Sequence, residues 1–406
     1  MKEPLILSRI AVPHQRAVSS GRDHEAVPGE SSARTRWRNN PDQSLTSRPS
    51  MRVLHIIPAL FGERGIVGGA ERYALELAKH MAEQTPTRLA TFGDSSEERQ
   101  IDDLHVRVMG PAWYVRGQRA NPITLSLFSE IRRADVIHCH QQHILASSMA
   151  SLACRLTGRN VYVSDLGGGG WDISAYVSTD RWYNGHLHIS EYSRTISGHS
   201  QKPWAHVIYG GVDTAKFSPD KSVQRDGTVL YVGRILPHKG IDDLIRAIPP
   251  HIPLEVIGRP YDSRYQAELD RLAEGKNVIF RQQCDDAALV DAYRRATCVV
   301  LPSVYRTMYG SESKVPELLG QTLLEGMACG TPAICTNVAS MPEVVEHGIT
   351  GFVVPPNDPA ALRDKILWLR DHPDDARAMG EAGTRRITEN FTWPAVVRRC
   401  LAIYRG

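Results

Sequence analysis

The chain has 406 residues, of which 42% are hydrophobic and 23% charged, as expected for a globular protein long enough for two domains. Its formal net charge is +3, and residues 1–50 carry that whole excess, so the charge of the neutral remainder does not indicate a nucleic-acid binder. No apolar run approaches the roughly twenty residues that a membrane-spanning helix requires.

Residues 1–50 are rich in Arg, Ser and Pro, and their few large apolar side chains follow no sustained period. We therefore predict a disordered N-terminal extension and a fold that begins at Met51. The seven cysteines contain no Cys-x-x-Cys pair, and several lie in apolar runs. This usage predicts small buried side chains in a reducing compartment. The expected location is the cytoplasm, and peripheral contact with the inner face of a membrane stays open.

The first predicted elements are an apolar strand over residues 52–60, a glycine loop, and a helix over residues 70–83. Strand, loop and helix in this order open a Rossmann-like unit. Gly68 and Gly69 allow close approach of the backbone to a ligand, with a helix N-terminus behind them that favours an anion. The dinucleotide fingerprint Gly-x-Gly-x-x-Gly is absent, which argues against an NAD enzyme.

Two segments in the first half place polar residues at the ends of predicted strands. ADVIHCHQQH puts His138 and His140 on one face of a strand, while Cys139 points away. A zinc site would need a second ligand cluster, and none is evident, so a polar strand end is favoured. NVYVSDLGGGGWDIS carries four glycines between Asp165 and Asp172. Such a loop either binds a ligand at the carboxyl end of the sheet or serves as a flexible connector.

The second half opens with TVLYVGRILPHKGIDDLIRAI, a strand, a basic loop and a helix. Arg234 and Lys239 stand five positions apart beside the helix start, where two cations can neutralise a diphosphate; a solvated charge pair is the plainer alternative. Apolar strands alternate with helical stretches over residues 261–273 and 286–295. This alternation predicts a parallel sheet covered by helices on both faces.

The segment VPELLGQTLLEGMACGTPAICT, residues 315–336, combines a loop carboxylate, Glu317, with a second carboxylate, Glu325, early in a predicted helix. Free N–H groups at a helix start favour a diphosphate, and carboxylates accept hydrogen bonds from sugar and ribose hydroxyls. Two surface acids on an ordinary helix would show the same spacing. From the spacing alone, two surface acids are the favoured interpretation, and the pattern of elements indicates an α/β protein.

These segments resemble the retaining glycosyltransferases of family four, which have the GT-B fold of two Rossmann-like domains around a cleft. The resemblance rests on ELLGQTLLEGMACGTPAICT, GRILPHKG and GGAER, and it covers about Arg52 to the C-terminus. It implies parallel sheets facing a central cleft, with an acceptor domain over residues 51–216 and a nucleotide-sugar domain over residues 217–388. A terminal helix over residues 389–406 would cross back to the first domain.

The resemblance also implies roles for the matching residues. Arg234 and Lys239 would bind the donor pyrophosphate and act in catalysis, Glu317 would contact the donor sugar, and Glu325 would bind the ribose. A catalytic histidine common in the family falls on Leu166 here, so either Asp165 or Asp172 would take the polar role. The remaining donor-side residues would be Gly68, Gly69, Leu318, Leu319 and Gly320, and the remaining acceptor-side residues His138 and His140.

The implied activity is retaining transfer of a sugar from a nucleotide-diphospho-sugar to a hydroxyl of a saccharide, lipid-linked or small-molecule acceptor. Polysaccharide or glycoconjugate biosynthesis is the expected context. The resemblance implies no metal ion and no other cofactor. Two alternatives stay open: another GT-B enzyme, such as a sugar-nucleotide epimerase or a phosphorylase, and an inactive subunit that binds a glycosyltransferase partner.

Overall fold

The structure, a computed structural model, describes residues 51–62, 65–66, 68–166 and 172–406. The predicted N-terminal extension and the glycine run over residues 167–170 therefore lie outside the described residues. No helix in the described ranges combines the length and the apolar character needed to cross a bilayer.

The first domain, in its described part, contains one eight-stranded sheet and two short antiparallel ribbons. Its strands are β1 (Val53–Ile56), β2 (Phe61–Gly62), β3 (Gly65–Ile66), β4 (Thr87–Phe92), β5 (Glu97–Ile101), β6 (Leu104–Met109), β7 (Trp113–Tyr114), β8 (Pro122–Ile123), β9 (Val136–Cys139), β10 (Asn160–Val163), β11 (Gly185–His188) and β12 (Ala205–Val207). The sheet order is β12-β11-β10-β9-β1-β4-β6-β5, and all pairs are parallel except β5 with β6. Its helices are α1 (Gly69–Ala82), α2 (Ser126–Arg132), α3 (Leu145–Thr157) and α4 (Glu191–Ile196).

The second domain is built on a six-stranded sheet in which every pair is parallel. Its strands are β13 (Val229–Val232), β14 (Leu254–Ile257), β15 (Val278–Arg281), β16 (Cys298–Leu301), β17 (Ala333–Thr336) and β18 (Gly351–Val354). Their order is β15-β14-β13-β16-β17-β18, so the winding direction reverses between β13 and β16. The helices that follow are α5 (Ile241–Ala247), α6 (Ser263–Ala273), α7 (Asp286–Arg295), α8 (Gln321–Ala328), α9 (Met341–Val344), α10 (Pro359–Asp371), α11 (Pro373–Asn390) and α12 (Trp393–Arg405).

The α/β class with two Rossmann-like domains is confirmed, and individual elements follow their sequence patterns closely. The stretches predicted as helical over residues 261–273 and 286–295 are α6 and α7. The first strand is shorter than predicted and ends at Ile56. Pro58 follows two residues later and has no N–H to donate to a neighbouring strand, which explains the early end.

Helix α12 crosses from the second domain onto the first, as predicted. The Trp393 ring lies 5.4 Å from that of Tyr73 and 5.9 Å from that of His80, both on α1. Near the other end of α12, the Tyr162 hydroxyl donates a hydrogen bond to the carbonyl of Ile403 at 3.1 Å. One apolar core consequently continues from α1 through α12 into the second domain.

The linker between the domains, around residues 209–211, is held by hydrogen bonds from both domains. Tyr73 of α1 donates its hydroxyl to the carbonyl of Tyr209 at 2.7 Å, and the Gln321 side chain at the start of α8 donates to the carbonyl of Gly211 at 3.0 Å. A Cβ atom at Gly211 would lie 2.7 Å from the backbone nitrogen of Trp393, so this position requires glycine. The linker is therefore a packed segment between α1, α8 and α12.

Three buried histidines connect the first sheet to α12. His55 pairs in register with His138 on the neighbouring strand, and its Nδ1 lies 2.8 Å from Nε2 of His140. Nε2 of His138 lies 2.9 Å from the Ser164 hydroxyl, and its Nδ1 lies 2.7 Å from the hydroxyl of Tyr404 on α12. The network thus ties the carboxyl ends of three strands to the crossing helix.

Burial keeps these imidazoles neutral. It lowers the pKa of His55 to about 3 and holds the pKa values of His138 and His140 well below the ordinary value. In the unfolded chain a histidine has a pKa of about 6.5. Below that pH the unfolded state binds protons that the folded state refuses, so stability is lost as the pH falls through 6.5.

The His55→Gln variant should therefore show a weaker pH dependence of stability than the parent protein. Between pH 7.5 and 5.5 a histidine that stays neutral when folded removes about 1.4 kcal/mol from the free energy of unfolding, and the variant should lack this loss. Urea unfolding at the two pH values measures the difference. His251→Gln, at an exposed position, serves as the control. An equal pH dependence in the parent and His55→Gln would contradict the assignment.

Candidate active site

Arg234 follows one of the two strands at which the second sheet reverses its winding. Arg234 stands two residues after β13, and Pro302 and Ser303 follow β16 directly. In open α/β sheets the carboxyl ends of strands at such a reversal form a crevice where ligands bind. The topology therefore places Arg234 at the position in the second domain where a binding site is expected.

Lys239 ends a short turn of 3₁₀-helix that packs against the end of β16. Gly240 follows with φ +65°, and a Cβ atom there would lie 2.1 Å from the carbonyl oxygen of Pro302. This close approach fixes the loop. The Lys239 ammonium then donates to Oε2 of Glu317 at 2.5 Å and to the carbonyl of Pro316 at 3.1 Å. Two residues 78 positions apart in the chain are thus joined by one charged hydrogen bond.

This ion pair is largely withdrawn from water, since Lys239 is 8% exposed and the Glu317 side chain 16%. Removing one partner of a buried pair leaves an uncompensated charge and typically costs about 3–5 kcal/mol. The pair therefore holds the basic loop against the loop that precedes α8. Substitution of Lys239 will disturb the arrangement of these loops and also remove a positive charge. Arg234 is exposed, so its substitution tests the effect of the charge alone more directly.

Across the cleft, the first turn of α1 presents Glu71 toward Arg234. Helix α1 begins after Gly68 with no side-chain cap. Burial raises the pKa of the Glu71 carboxyl, while the N–H groups of Glu71 itself and of Gly68 and the charge of Arg234 oppose that rise. The start of α1 and the Arg234 guanidinium thus already interact with an anion, the Glu71 carboxylate. Gly68 and Gly69 are both exposed at this point.

Glu325 is the fifth residue of α8 and is only 9% exposed. The Tyr293 hydroxyl donates to its Oε2 at 2.9 Å. Burial raises the pKa of Glu325, and the hydrogen bond from Tyr293, followed by the charges of Arg72 and Lys216, opposes the rise. Glu325 is therefore a buried carboxylate held by the Tyr293 and Gln321 side chains of its own domain and attracted by Arg72 of α1.

The three residues that follow Glu317 are buried or half-buried. Leu319 is 5% exposed and lies against the linker, because a Cβ atom at Gly210 would meet its Cδ2 at 2.4 Å. Gly320 has φ +82° and begins α8 without a side-chain cap, which leaves the helix start available to an anion. Leu318 is half-buried. Their donor roles stay predictions.

The predicted acceptor-side residues are mostly buried. Asp172 is 1% exposed, accepts from the Ser148 hydroxyl at 2.6 Å and caps a short turn through the N–H of Ser174 at 3.0 Å. His138 and His140 belong to the buried network under α12. Asp165 is half-buried, and its Oδ2 lies 4.0 Å from Nε2 of His143. Their acceptor and catalytic roles remain predictions, and Asp165 is the most accessible of the four.

Several residues that shape the site have contacts that the sequence does not reveal. Glu71 and Arg72 lie inside the motif GGAER, so their position was visible although their partners across the cleft were not. Tyr293, which holds Glu325, sits on an ordinary amphipathic helix with no distinguishing local pattern. Only the tertiary structure brings α7 against α8 at this point.

Two family profiles match the chain. Residues 176–386 match the profile described as glycosyl transferases group 1, and residues 67–216 match the profile described as glycosyltransferase family 4. The first match covers more than half of the chain. It includes the segments that carry Arg234, Lys239, Glu317 and Glu325, and the second includes the glycine loop before α1.

Curated relatives agree with the family profiles. The chain is 29% identical to the α-maltose-1-phosphate synthase of Mycolicibacterium smegmatis over 366 residues, which cover 76% of this chain and 92% of that protein. It is 31% identical over 227 residues to the D-inositol 3-phosphate glycosyltransferase 1 of Catenulispora acidiphila, covering 50% of this chain and 51% of that protein. The match thus spans about half the length of the second relative.

Solved structures share the fold at lower identity. The sucrose-phosphate synthase from Thermosynechococcus elongatus superposes with a TM-score of 0.66 at 20% identity, covering 87% of this chain and 98% of that one. Anabaena HepE in complex with UDP and glucose gives a TM-score of 0.64 at 18% identity, with the same coverage of both chains. Profiles, relatives and fold lead to one conclusion: the chain belongs to the glycosyl transferases group 1 family and is a glycosyltransferase of the GT-B fold.

Proposed function

We propose that this glycosyltransferase moves a sugar from a nucleoside diphosphate sugar to a hydroxyl acceptor, with retention of configuration and without a metal ion. The observation that carries the proposal is the paired Lys239 and Glu317 beside Arg234, at the reversal point of the second sheet. Two cations suit the diphosphate, and a carboxylate suits the hydroxyls of the sugar. The resemblance to family four supports the same assignment of roles.

In the transfer step, the bond between the anomeric carbon and the diphosphate oxygen breaks, and a bond from the acceptor oxygen forms. Negative charge grows on the leaving diphosphate, where Arg234, Lys239 and the uncapped start of α8 stabilise it. The acceptor proton passes to an oxygen of the leaving phosphate on the same face of the sugar. Glu317 is engaged by Lys239, which argues against its service as a free nucleophile. Retention itself is implied by the resemblance to family four alone.

Metal independence is implied by the resemblance to family four, and the groups of metal-type side chains lie away from the proposed donor site. Within the described residues, the groups of three or more such side chains close enough to share an ion are two buried histidine triads. Neither includes a residue of the proposed donor site. The triads are His55 with His138 and His140, and His186 with His188 and His199. The charge of the leaving group is therefore assigned to Arg234 and Lys239.

The relatives suggest which donors to try first. Anabaena HepE has been solved with UDP-glucose, and two curated relatives are named as GDP-mannose-dependent mannosyltransferases that form α-(1-6) linkages. UDP-glucose and GDP-mannose are therefore the first donors to test. A saccharide or phosphorylated sugar is the first acceptor class, since relatives are named for maltose-1-phosphate and inositol 3-phosphate products or substrates.

The proposal is tested by a thermal-shift screen of UDP, GDP, ADP and their sugars, followed by transfer assays with the best donor. A ligand that binds the folded state raises the melting temperature by mass action. We expect one nucleotide series to bind, the product anomer to match the donor by NMR, and activity to survive EDTA. Release of free epimer would favour the epimerase alternative. A folded protein that binds no nucleotide would support the inactive-subunit alternative.

Arg234→Ala should lower turnover at least tenfold, because a donor aimed at the developing charge contributes about 2–4 kcal/mol to the transition state. Since Arg234 is exposed, the melting temperature should stay close to that of the parent. Arg377→Ala, at a 70% exposed side chain on α11, is the matched control. Glu71→Gln should have the opposite effect: it removes a competing anion near Arg234 and should tighten binding of the nucleoside diphosphate. Parent-like turnover of Arg234→Ala would refute the assignment.

Glu317→Gln and Glu325→Gln should separate the two carboxylates. Glu325→Gln should weaken the binding of nucleoside diphosphate by about 1–3 kcal/mol, the usual effect of losing a charged hydrogen bond. Glu317→Gln should lower transfer from the intact donor more than it lowers that affinity, because its amide oxygen can still accept from Lys239 and Arg234 is untouched. Calorimetry with the diphosphate alone, beside transfer rates with the full donor, gives both results. Equal loss of diphosphate affinity in the two variants would contradict this division of roles.

A further inference from the structure

One carboxylate of the second domain reaches across to the first. Glu343, on α9, accepts hydrogen bonds from the N–H groups of Glu191 at 2.8 Å and Tyr192 at 2.7 Å, which are the first two residues of α4. Both of its oxygens are used, one for each N–H group. A carboxylate at this position also complements the positive end of the helix dipole. The contact joins elements 152 positions apart in sequence.

A second contact reaches the same turn of α4. Residues 304–315, here called the cleft hairpin, connect β16 to the loop that carries Glu317. The Tyr192 hydroxyl donates to the carbonyl of Lys314 in this hairpin at 2.9 Å. Within the second domain, the Tyr305 hydroxyl accepts from the N–H of Ala339 at 2.8 Å, which ties the hairpin to the segment before α9. The cleft hairpin and α9 therefore meet α4 as one unit.

Both ends of the cleft hairpin are joined to the Lys239–Glu317 pair. At its beginning, the N–H of Val304 donates to the carbonyl of His238, the residue before Lys239, at 2.9 Å. At its end, Pro316 follows directly and accepts from the Lys239 ammonium at 3.1 Å. A displacement of the hairpin would consequently displace the ion pair, since no flexible spacer separates them.

We propose that Glu343 and the cleft hairpin form an interdomain clamp on the start of α4, with Glu343 as a positioning residue for sugar transfer. The clamp holds the first domain against the second and thereby fixes Lys239 and Glu317 at the cleft. This inference rests on the proposed donor roles of those two residues. Glu343 touches neither of them and acts through the hairpin and the domain arrangement.

The position of Glu343 is itself fixed by Arg386 on α11. This guanidinium donates to the carbonyls of Glu343 at 2.8 Å and Val344 at 2.9 Å, and it also pairs with the Glu346 carboxylate. Glu346 lies near Glu343 and shares this cation, yet its described contacts stay within the second domain. Glu346→Ala is therefore a matched control that removes a neighbouring carboxylate while Arg386 keeps its hydrogen bonds to the carbonyls of Glu343 and Val344.

The arrangement of the domains is measured by the distance between spin labels in the full chain without ligand. Labels are attached through Leu156→Cys in the first domain and Ile279→Cys in the second, at positions 79% and 56% exposed. Cys284→Ser removes the one cysteine that is not buried. The distribution of distances between the labels is measured by double electron–electron resonance. Glu343→Ala should lengthen and broaden this distribution, and Glu346→Ala should leave it unchanged. An unchanged distribution in Glu343→Ala would overturn the clamp.

Turnover supplies the second readout. Glu343→Gln keeps the shape, but its amide nitrogen faces one of the two N–H donors, so we expect kcat to fall at least tenfold. The affinity for UDP or GDP, whichever binds, should fall less than threefold, because Arg234 and Glu325, the other proposed nucleotide contacts, lie outside the cleft hairpin. Parent-like kcat in Glu343→Gln would overturn the positioning role. If Arg234→Ala kept parent-like turnover while Glu343→Ala lengthened the distance between the labels, the donor assignment would be refuted and the clamp would stand.

Discussion

The ion pair between Lys239 and Glu317 is the contact on which the second domain's site depends. It joins the loop after β13 to the loop before α8, and its partial withdrawal from water makes each charge depend on the other. A pair of this kind contributes little net stability compared with an apolar contact, but it tolerates few alternative arrangements. The two loops therefore keep one relative position, and the residues flanking the pair are positioned with it.

The cleft has charged residues of both signs on both of its sides. The first turn of α1 carries Glu71 toward Arg234 and Arg72 toward Glu325, so each domain presents one anion and one cation to the other. An anionic ligand entering between them would exchange the attraction between Glu71 and Arg234 for its own. The proposed anion site would therefore not carry a permanent positive charge. Binding of an anion there would also change the electrostatic contacts between the domains.

Among the described residues, two groups of interdomain hydrogen bonds and packing contacts lie in separate parts of the chain. In one, α12 contacts α1 through aromatic rings and the first sheet through the buried histidine network, and the packed linker contacts α8. In the other, Glu343 and the cleft hairpin meet the first turn of α4. The first is extensive and largely apolar, as expected of a permanent contact. The second consists of a few hydrogen bonds, which can break and re-form at small cost.

The sequence by itself determined the fold class and the main elements of the site. Continuous apolar strands alternating with amphipathic helices require a parallel sheet covered on both faces, and α6, α7 and α8 lie where their periodicity predicts them. The local motifs around Arg234, Lys239, Glu317 and Glu325 were also readable, because each depends on residues close together in the chain. Their roles toward a ligand remain predictions.

What only the tertiary structure decided are the contacts between distant residues. The sequence does not reveal that Lys239 and Glu317 engage each other, that Tyr293 holds Glu325, or that Glu343 reaches α4, since none of these pairs is local. His138, His140 and Asp172 looked like polar residues facing a ligand, and the structure shows them buried with partners inside the protein. A polar side chain at a strand end can face either a cleft or a crossing helix, and only the packing of α12 selects between them.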